Sequence, residues 1–408
     1  MTALHIRDAR IVDPAQGMDA RGDILIRDRQ IVATGAVDAP ANAKVIEAEG
    51  LIAAPGFIDT GVFRADAAAC LAGGITRVLL MPDQSPPLDD PALIERAMRI
   101  GKPHVWVHPF AAATRGLADE ELAEIGLMQA AGAVGASTGR AGIPSSAVMH
   151  RLLSYASAFG IRVVTHAEDA ALAGEASATD GETATRLGLP SAPAIAESIA
   201  VARDIRLAED VGARLHVRTV TTAESVEIVA RAKARGVDVT CGTTPAHLLL
   251  NDTAATDYRS FARLSPPLRS ENDRLALVTA LREGVIDLVT SGHDPRTQEE
   301  KRLPYADAAP GMAGLETLLP LTLLALGDDV GPLKLVDLLS STPARLFALP
   351  GGTLETGAPA DVTLFDPGRA WRIDADALTH PAANTPFDRL PVSGRVKMTI
   401  KGGEVVFG

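Results

Sequence analysis

Cysteine is almost absent: Cys70 and Cys241 are the two in a chain of 408 residues. They form no close-spaced pair, so neither a disulfide framework nor a thiolate zinc site is indicated. Both read as small buried hydrophobes in a reducing compartment. Positive charge is also short. With 39 Lys and Arg against 51 Asp and Glu, the formal net charge is −12. That argues against nucleic acid or an anionic membrane as partner. It admits an acidic metabolite only where basic residues gather locally. Long apolar runs are missing as well, because no stretch reaches the ~18 residues that span a bilayer. The greasiest segment, Leu318 to Leu326, contains Pro320 and reads as a buried helix. Asp8, Arg10 and Asp13 break up the start of the chain, so no signal peptide is expected and a cytoplasmic location is.

What is present is an ordinary globular composition, 47% hydrophobic and 22% charged, with length enough for one large and one small domain. Residues 1–52 alternate in short β-type runs, Leu4 to Ile6, Ile24 to Ile26, Ile31 to Ala33 and Val45 to Ala48. Turn residues such as Asp13-Pro14 and Arg21-Gly22-Asp23 separate them. The far end matches, with Asp361 to Phe365, Gly394 to Ile400 and Gly403 to Val406. Neither set buries a face alone, so the two are expected to pair into one small β-sandwich domain, 1–52 plus 350–408.

Between them, over 53–349, apolar strands alternate with amphipathic helices. Strands are expected at Gly56 to Gly61, Thr76 to Met81, His104 to Pro109, Ala133 to Ser137, Arg162 to His166, Arg214 to Thr219, Asp238 to Thr243 and Asp287 to Ser291. Helical periods cover Pro91 to Ile100, Asp119 to Ala131, Ser145 to Phe159, Ala196 to Val211, Glu224 to Arg235 and Glu271 to Glu283. Thr221 with Glu224, and Ser270 with Asp273, have capping-box spacing. Eight buried strands with intervening helices make an α/β fold, a (β/α)8 TIM-type barrel.

One stretch gives this barrel a family. Ala53-Ala54-Pro55-Gly56-Phe57-Ile58-Asp59-Thr60-Gly61-Val62-Phe63-Arg64 resembles the first barrel strand of the cyclic amidohydrolases, above all the type I dihydroorotases. Their motif runs Pro-Gly-x-x-Asp-x-His-x-His with an Arg just beyond. Further frame motifs follow in the same order: Gly73-Gly74-Ile75-Thr76, Met81-Pro82-Asp83, His166-Ala167-Glu168-Asp169, Pro266-Pro267-Leu268-Arg269, Ala309-Pro310-Gly311 and Gly314-Leu315-Glu316-Thr317. Gly357 to Asp361 and Asn384 to Phe387 resemble the small sandwich domain of the same enzymes.

The resemblance also says where zinc ligands should stand. Two histidines belong on strand one, where Gly61 and Phe63 are found. A bridging carboxylate belongs on strand four, where Thr138 and Gly139 are. Strand five keeps His166. Strand six has Thr219 for a histidine, and strand eight has Gly292 for the aspartate that serves as ligand and general base. A catalytic zinc needs at least three protein ligands, so His166 alone holds none, and no catalytic residue and no cofactor are expected. The loss is large. Zinc brings bound water from ~15.7 to a pKa near ~7, which at ~1.36 kcal/mol per unit is at most about 12 kcal/mol in hydroxide availability.

Substrate positions have drifted too. Arg64 matches the family's carboxylate-binding Arg, but Asp83 and Ser265 replace asparagines, and Ala246-His247 replaces a His-His pair. Arg64 could equally pair with Asp59 or Asp66. His293, beside Gly292, completes the list of substrate-binding candidates. His216 and Arg218 are candidates to fill the space a metal would take. A displaced site from His166, His247, His293 and Asp294 requires the loop after strand eight to have turned, since neighbouring strand residues face opposite ways.

Three functions follow as expectations. The resemblance implies a silent member like the non-catalytic dihydroorotase-like subunits that associate with aspartate carbamoyltransferase, with an oligomer expected. An active zinc-dependent dihydroorotase, or a hydantoin- or allantoin-type hydrolase with a rebuilt site, is the alternative. A metabolite sensor using the pocket near Arg64 is the third.

Overall fold

The two ends of the chain are sewn together by one antiparallel register. Ile52–Pro55 runs against Val362–Phe365, with Val362 opposite Pro55 and Phe365 opposite Ile52. In the computed structural model, which describes residues 3–380, 382 and 384–408, this pairing unites an eight-stranded sheet. Its strands are Leu4–Asp13, Met18–Arg27, Gln30–Gly35, Lys44–Glu47 and Ile52–Pro55 from the front, and Val362–Arg372, Pro391–Lys401 and Glu404–Phe407 from the back. Ile6, Ile24, Ile31, Val362, Leu364 and Ile400 form its shared core. Neither half supplies enough apolar surface for that core alone. The front half therefore runs to Pro55, past the expected end at residue 52.

One expected turn is not a turn. Arg21-Gly22-Asp23 lies inside Met18–Arg27, which pairs with Leu4–Asp13 across a bulge between Ile6 and Ala9. Glycine is needed at 22 for close approach, since a Cβ there would stand 2.9 Å from the Cα of Gly35.

The barrel strands are parallel: Phe57–Val62, Ile75–Leu80, Trp106–Pro109, Ala136–Ser137, Arg162–Thr165, Arg214–Val217, Val239–Thr243 and Leu288–Val289. All eight expected strands appear, several shortened. Phe57–Val62 and Ile75–Leu80 are buried throughout, as parallel strands covered on both faces must be. The ring closes where Phe63 N donates to the His293 carbonyl at 3.0 Å. Asp59 on strand one also accepts from Thr290 Oγ1 (2.5 Å) and Ser291 N (3.2 Å) on strand eight.

Helices cover the outside. Ser270 caps Glu271–Glu283 by accepting from Asp273 N. The cap of Ala223–Ala234 is Thr222, which accepts from Ser225 N, and not Thr221. Thr221 is taken instead by the buried carboxylate of Glu197, which accepts from Thr221 N at 2.8 Å and Thr222 N at 3.0 Å. Leu318–Leu326 is a buried helix as expected. Among the described residues no helix is long and apolar enough to cross a membrane.

Sheet and barrel are bolted by a buried ion pair. Arg77 Nη2 donates to Asp361 Oδ2 at 2.6 Å, each side chain 4% exposed. Trp106 Nε1 (3.1 Å) and Gly402 N (2.7 Å) also donate to Asp361.

Candidate functional site

The barrel mouth holds no cluster of three or more His, Cys, Asp or Glu side chains able to bind a metal, among the described residues. It holds arginines. Arg218, just past strand six, is 6% exposed. Its Nη2 donates to Nδ1 of His166 across 2.9 Å. A guanidinium only donates, so Nδ1 must offer its lone pair and Nε2 carries the proton. Nε2 faces Glu168 Oε2 at 3.4 Å. Neither ring nitrogen of His166 is then left with a free lone pair for a metal. Burial lowers Arg218 to about 10, against the opposing pull of Asp83 and Asp294.

A second guanidinium lies beside the first. Arg140 Cζ is 4.0 Å from the centre of the Phe63 ring, and Arg218 Cζ is 5.1 Å from it. Phe63, at a position where the family has a zinc-binding histidine, is thus the aromatic surface on which both cations rest. Arg140 also grips Asp294 with two hydrogen bonds, 3.0 and 2.7 Å. Arg296 Nη2 reaches the same carboxylate at 2.7 Å. Asp83 accepts from Arg140 N at 2.9 Å.

The glycines have no room for ligands. At Gly139 (φ +79°) a Cβ would meet Asp83 Oδ1 at 2.7 Å, and at Gly61 a Cβ would lie 3.0 Å from Thr290 Oγ1. Gly292 has φ +64°, which is where the chain turns out of strand eight. Thr138 uses its hydroxyl to accept from His166 N at 3.0 Å. The residues present do not fit zinc.

The expected substrate residues are not gathered. Arg64 is exposed and lies outside the cavity lining, because Phe63 takes the inward direction. It pairs with neither suggested carboxylate: Asp66 lies 3.5 Å from His380 Nε2, and Asp59 serves strand eight. His293 is wholly buried and turned away. Its Nδ1 accepts from Gly314 N at 3.2 Å and its ring stands edge-on to His380. Burial takes it down to about 3. Ser265 is exposed at the cavity rim.

Nor is a displaced metal site assembled. His247 has both ring nitrogens engaged, Nδ1 with Thr244 Oγ1 (2.8 Å) and Nε2 with the Pro266 carbonyl (3.0 Å). The loop has turned, so Asp294 does line the mouth, but its oxygens go to the two arginines. Of the two space-filling candidates, Arg218 occupies the mouth, while His216 bonds Thr240 Oγ1 at 2.9 Å and packs on Phe347.

The cavity itself measures about 160 Å3 and is lined by Phe63, Arg140, Arg218, Thr219, Ser265 and Asp294 among others. A larger cleft of about 420 Å3 lies beside Trp371 and Arg395, at the small sheet rather than the barrel mouth. Sequence reasoning missed Arg140 and Arg296, whose loops carry no periodic signature.

The amidohydrolase family profile matches residues 46–406. The chain belongs to the amidohydrolase family. Among this member's relatives are dihydroorotases from Geobacter sp. (strain M21), 39% identical with 99% of each chain covered, and from Syntrophotalea carbinolica, 39% identical with 98% of each covered. Among solved structures, the L-hydantoinase (dihydropyrimidinase) of Arthrobacter aurescens matches with a TM-score of 0.89 at 27% identity, covering 100% of this chain and 96% of that one. Dihydropyrimidinase from Brevibacillus agri NCHU1002, at 23% identity and a TM-score of 0.85 over 100% of this chain and 95% of that one, shares the fold.

Proposed function

We propose that this family member is a catalytically silent dihydroorotase homologue of pyrimidine biosynthesis, cytoplasmic, retained as an oligomeric scaffold subunit for aspartate carbamoyltransferase. The observation that carries the silent half is the Arg218 guanidinium on His166 Nδ1. Hydrolysis of a cyclic amide needs an activated water and a base to take its proton. Asp294 accepts from two arginines. Glu168 faces His166 Nε2 and lies 3.5 Å from Arg269. His247 and His293 are buried, and burial holds both in the neutral form, but His247 has no free nitrogen and His293 faces away from the cavity. Among the described residues lining the mouth, no carboxylate or imidazole is left free to activate water.

The scaffold half rests on the resemblance and on a preserved frame: the Pro-Pro-Leu-Arg and His-Ala-Glu-Asp motifs still build buried hydrogen-bonded structure around Arg269. Co-expression with the host's aspartate carbamoyltransferase, followed by size-exclusion chromatography, tests it. Co-elution at a defined stoichiometry is expected, and separate elution overturns the partner assignment.

The names of the full-length relatives favour a second reading, an active zinc-dependent dihydroorotase. It requires Arg218 to leave His166 and at least two further ligands to converge there.

A further inference from the structure

Arg218 is a buried cation without a contact ion pair, and Asp83, Asp294 and Glu168 act on it only from a distance. Among the described residues no carboxylate oxygen lies within the 4.0 Å of an ion pair, and its Nε has no hydrogen-bond partner. Leaving a charge in that condition is costly. The neighbouring arginines are not in the same state, since Arg140 and Arg296 share Asp294. Arg218 lines the 160 Å3 cavity, so part of its side chain borders open space, while the unpaired Nε is enclosed by protein. The lining charges are Arg140, Arg218 and Arg296 against Asp294. The lining itself is therefore in positive excess, which Asp83 and Glu168 offset only from behind it.

We propose that this cavity is a binding site for a compact monocarboxylate held by Arg218. The carboxylate accepts from the Arg218 guanidinium, whose planar fork matches it. Thr219 and Ser265 border the same space, and Phe63 and Leu264 offer apolar wall. The volume is about that of five waters, below the usual ~300 Å3 of drug-sized pockets, so the body of the acid is a few carbons. The site uses the reading that Arg218 stands where a metal would, but not the partnership with aspartate carbamoyltransferase. A failed co-elution leaves it intact.

The test is thermal shift and calorimetry on the purified full-length chain. The probes are isobutyrate, its neutral isostere isobutyramide, and inorganic phosphate, at constant ionic strength. The expected result is a saturable rise in melting temperature with isobutyrate and none with isobutyramide or phosphate. Arg218→Met weakens isobutyrate binding by roughly tenfold or more. Ser265→Trp, at an exposed rim position, does the same without disturbing the unliganded melting temperature. No response to isobutyrate, a preference for phosphate, or binding undiminished in both variants overturns the proposal.

Discussion

Nη2 of Arg218 and Nδ1 of His166 are 2.9 Å apart, and the hydrogen between them belongs to the arginine. The residue standing at a family ligand position thereby spends its lone pair inside the protein.

That pairing is expected to add little stability. Arg218→Met strands the His166 acceptor, which costs about 1–3 kcal/mol, but it also removes a buried charge that has no contact ion pair, which returns a similar amount. The net change in urea unfolding is expected within about 1 kcal/mol. A loss of several kcal/mol would mean that the arginine is there to hold the barrel together.

Asp361 is the opposite case. Asp361→Ala leaves Arg77 buried and unpaired between barrel and sheet. The expected loss is about 3–5 kcal/mol. Arg77→Met with Asp361→Leu should lose less than the sum of the singles. Additive losses in that double-mutant cycle would refute the coupling.

Gly292→Asp supplies the carboxylate that the resemblance to dihydroorotases places at this position. Its backbone is left-handed, φ +64°, so roughly 1 kcal/mol of stability should be lost. Zinc uptake should not change, because Arg218 remains on His166. An equivalent of zinc bound by this single variant would show that one carboxylate was all the site lacked.

Stability should fall in mild acid. Burial lowers His108 and His247 from 6.5 to about 4, and His216 to about 3. In the unfolded chain these rings protonate near 6.5, while in the folded chain they stay neutral. Between roughly pH 6.5 and 4 the unfolded state therefore binds more protons and stability drops as pH falls, by up to ~1.4 kcal/mol per pH unit for each ring. Asp59 and Asp204, raised by burial, oppose this at the acid end. Urea midpoints measured at pH 7.5 and 5.0 should differ clearly, and identical values would contradict the neutral, buried assignment.

The frame was readable because its signals are local or periodic. Parallel strands buried on both faces are continuous apolar runs, and Ser270 caps its helix as the spacing required. Two local readings failed where a distant residue intervened. Glu197 drew Thr221 out of the capping role, and Gly35 made Gly22 a close contact instead of a turn. The mouth was harder. Gly61, Phe63, Thr219 and Gly292 marked what was missing, but not what replaced it. Arg140 and Arg296 meet at Asp294 from loops 154 residues apart in one case, a distance that pattern alone does not bridge. His216 and Arg218 were both candidates for the vacated space, and only Arg218 lines the mouth, while His216 bonds Thr240 and packs on Phe347. Arg64 fitted the motif, yet Phe63 took the inward direction and left it in solvent.

The most direct measurement is metal content and turnover on the same sample. The full-length chain, purified without chelators and given excess zinc, is dialysed, analysed for bound metal and assayed for dihydroorotate hydrolysis. The expected result is zinc far below one per chain and no hydrolysis. One or two zinc ions per chain, accompanied by turnover, would contradict the account.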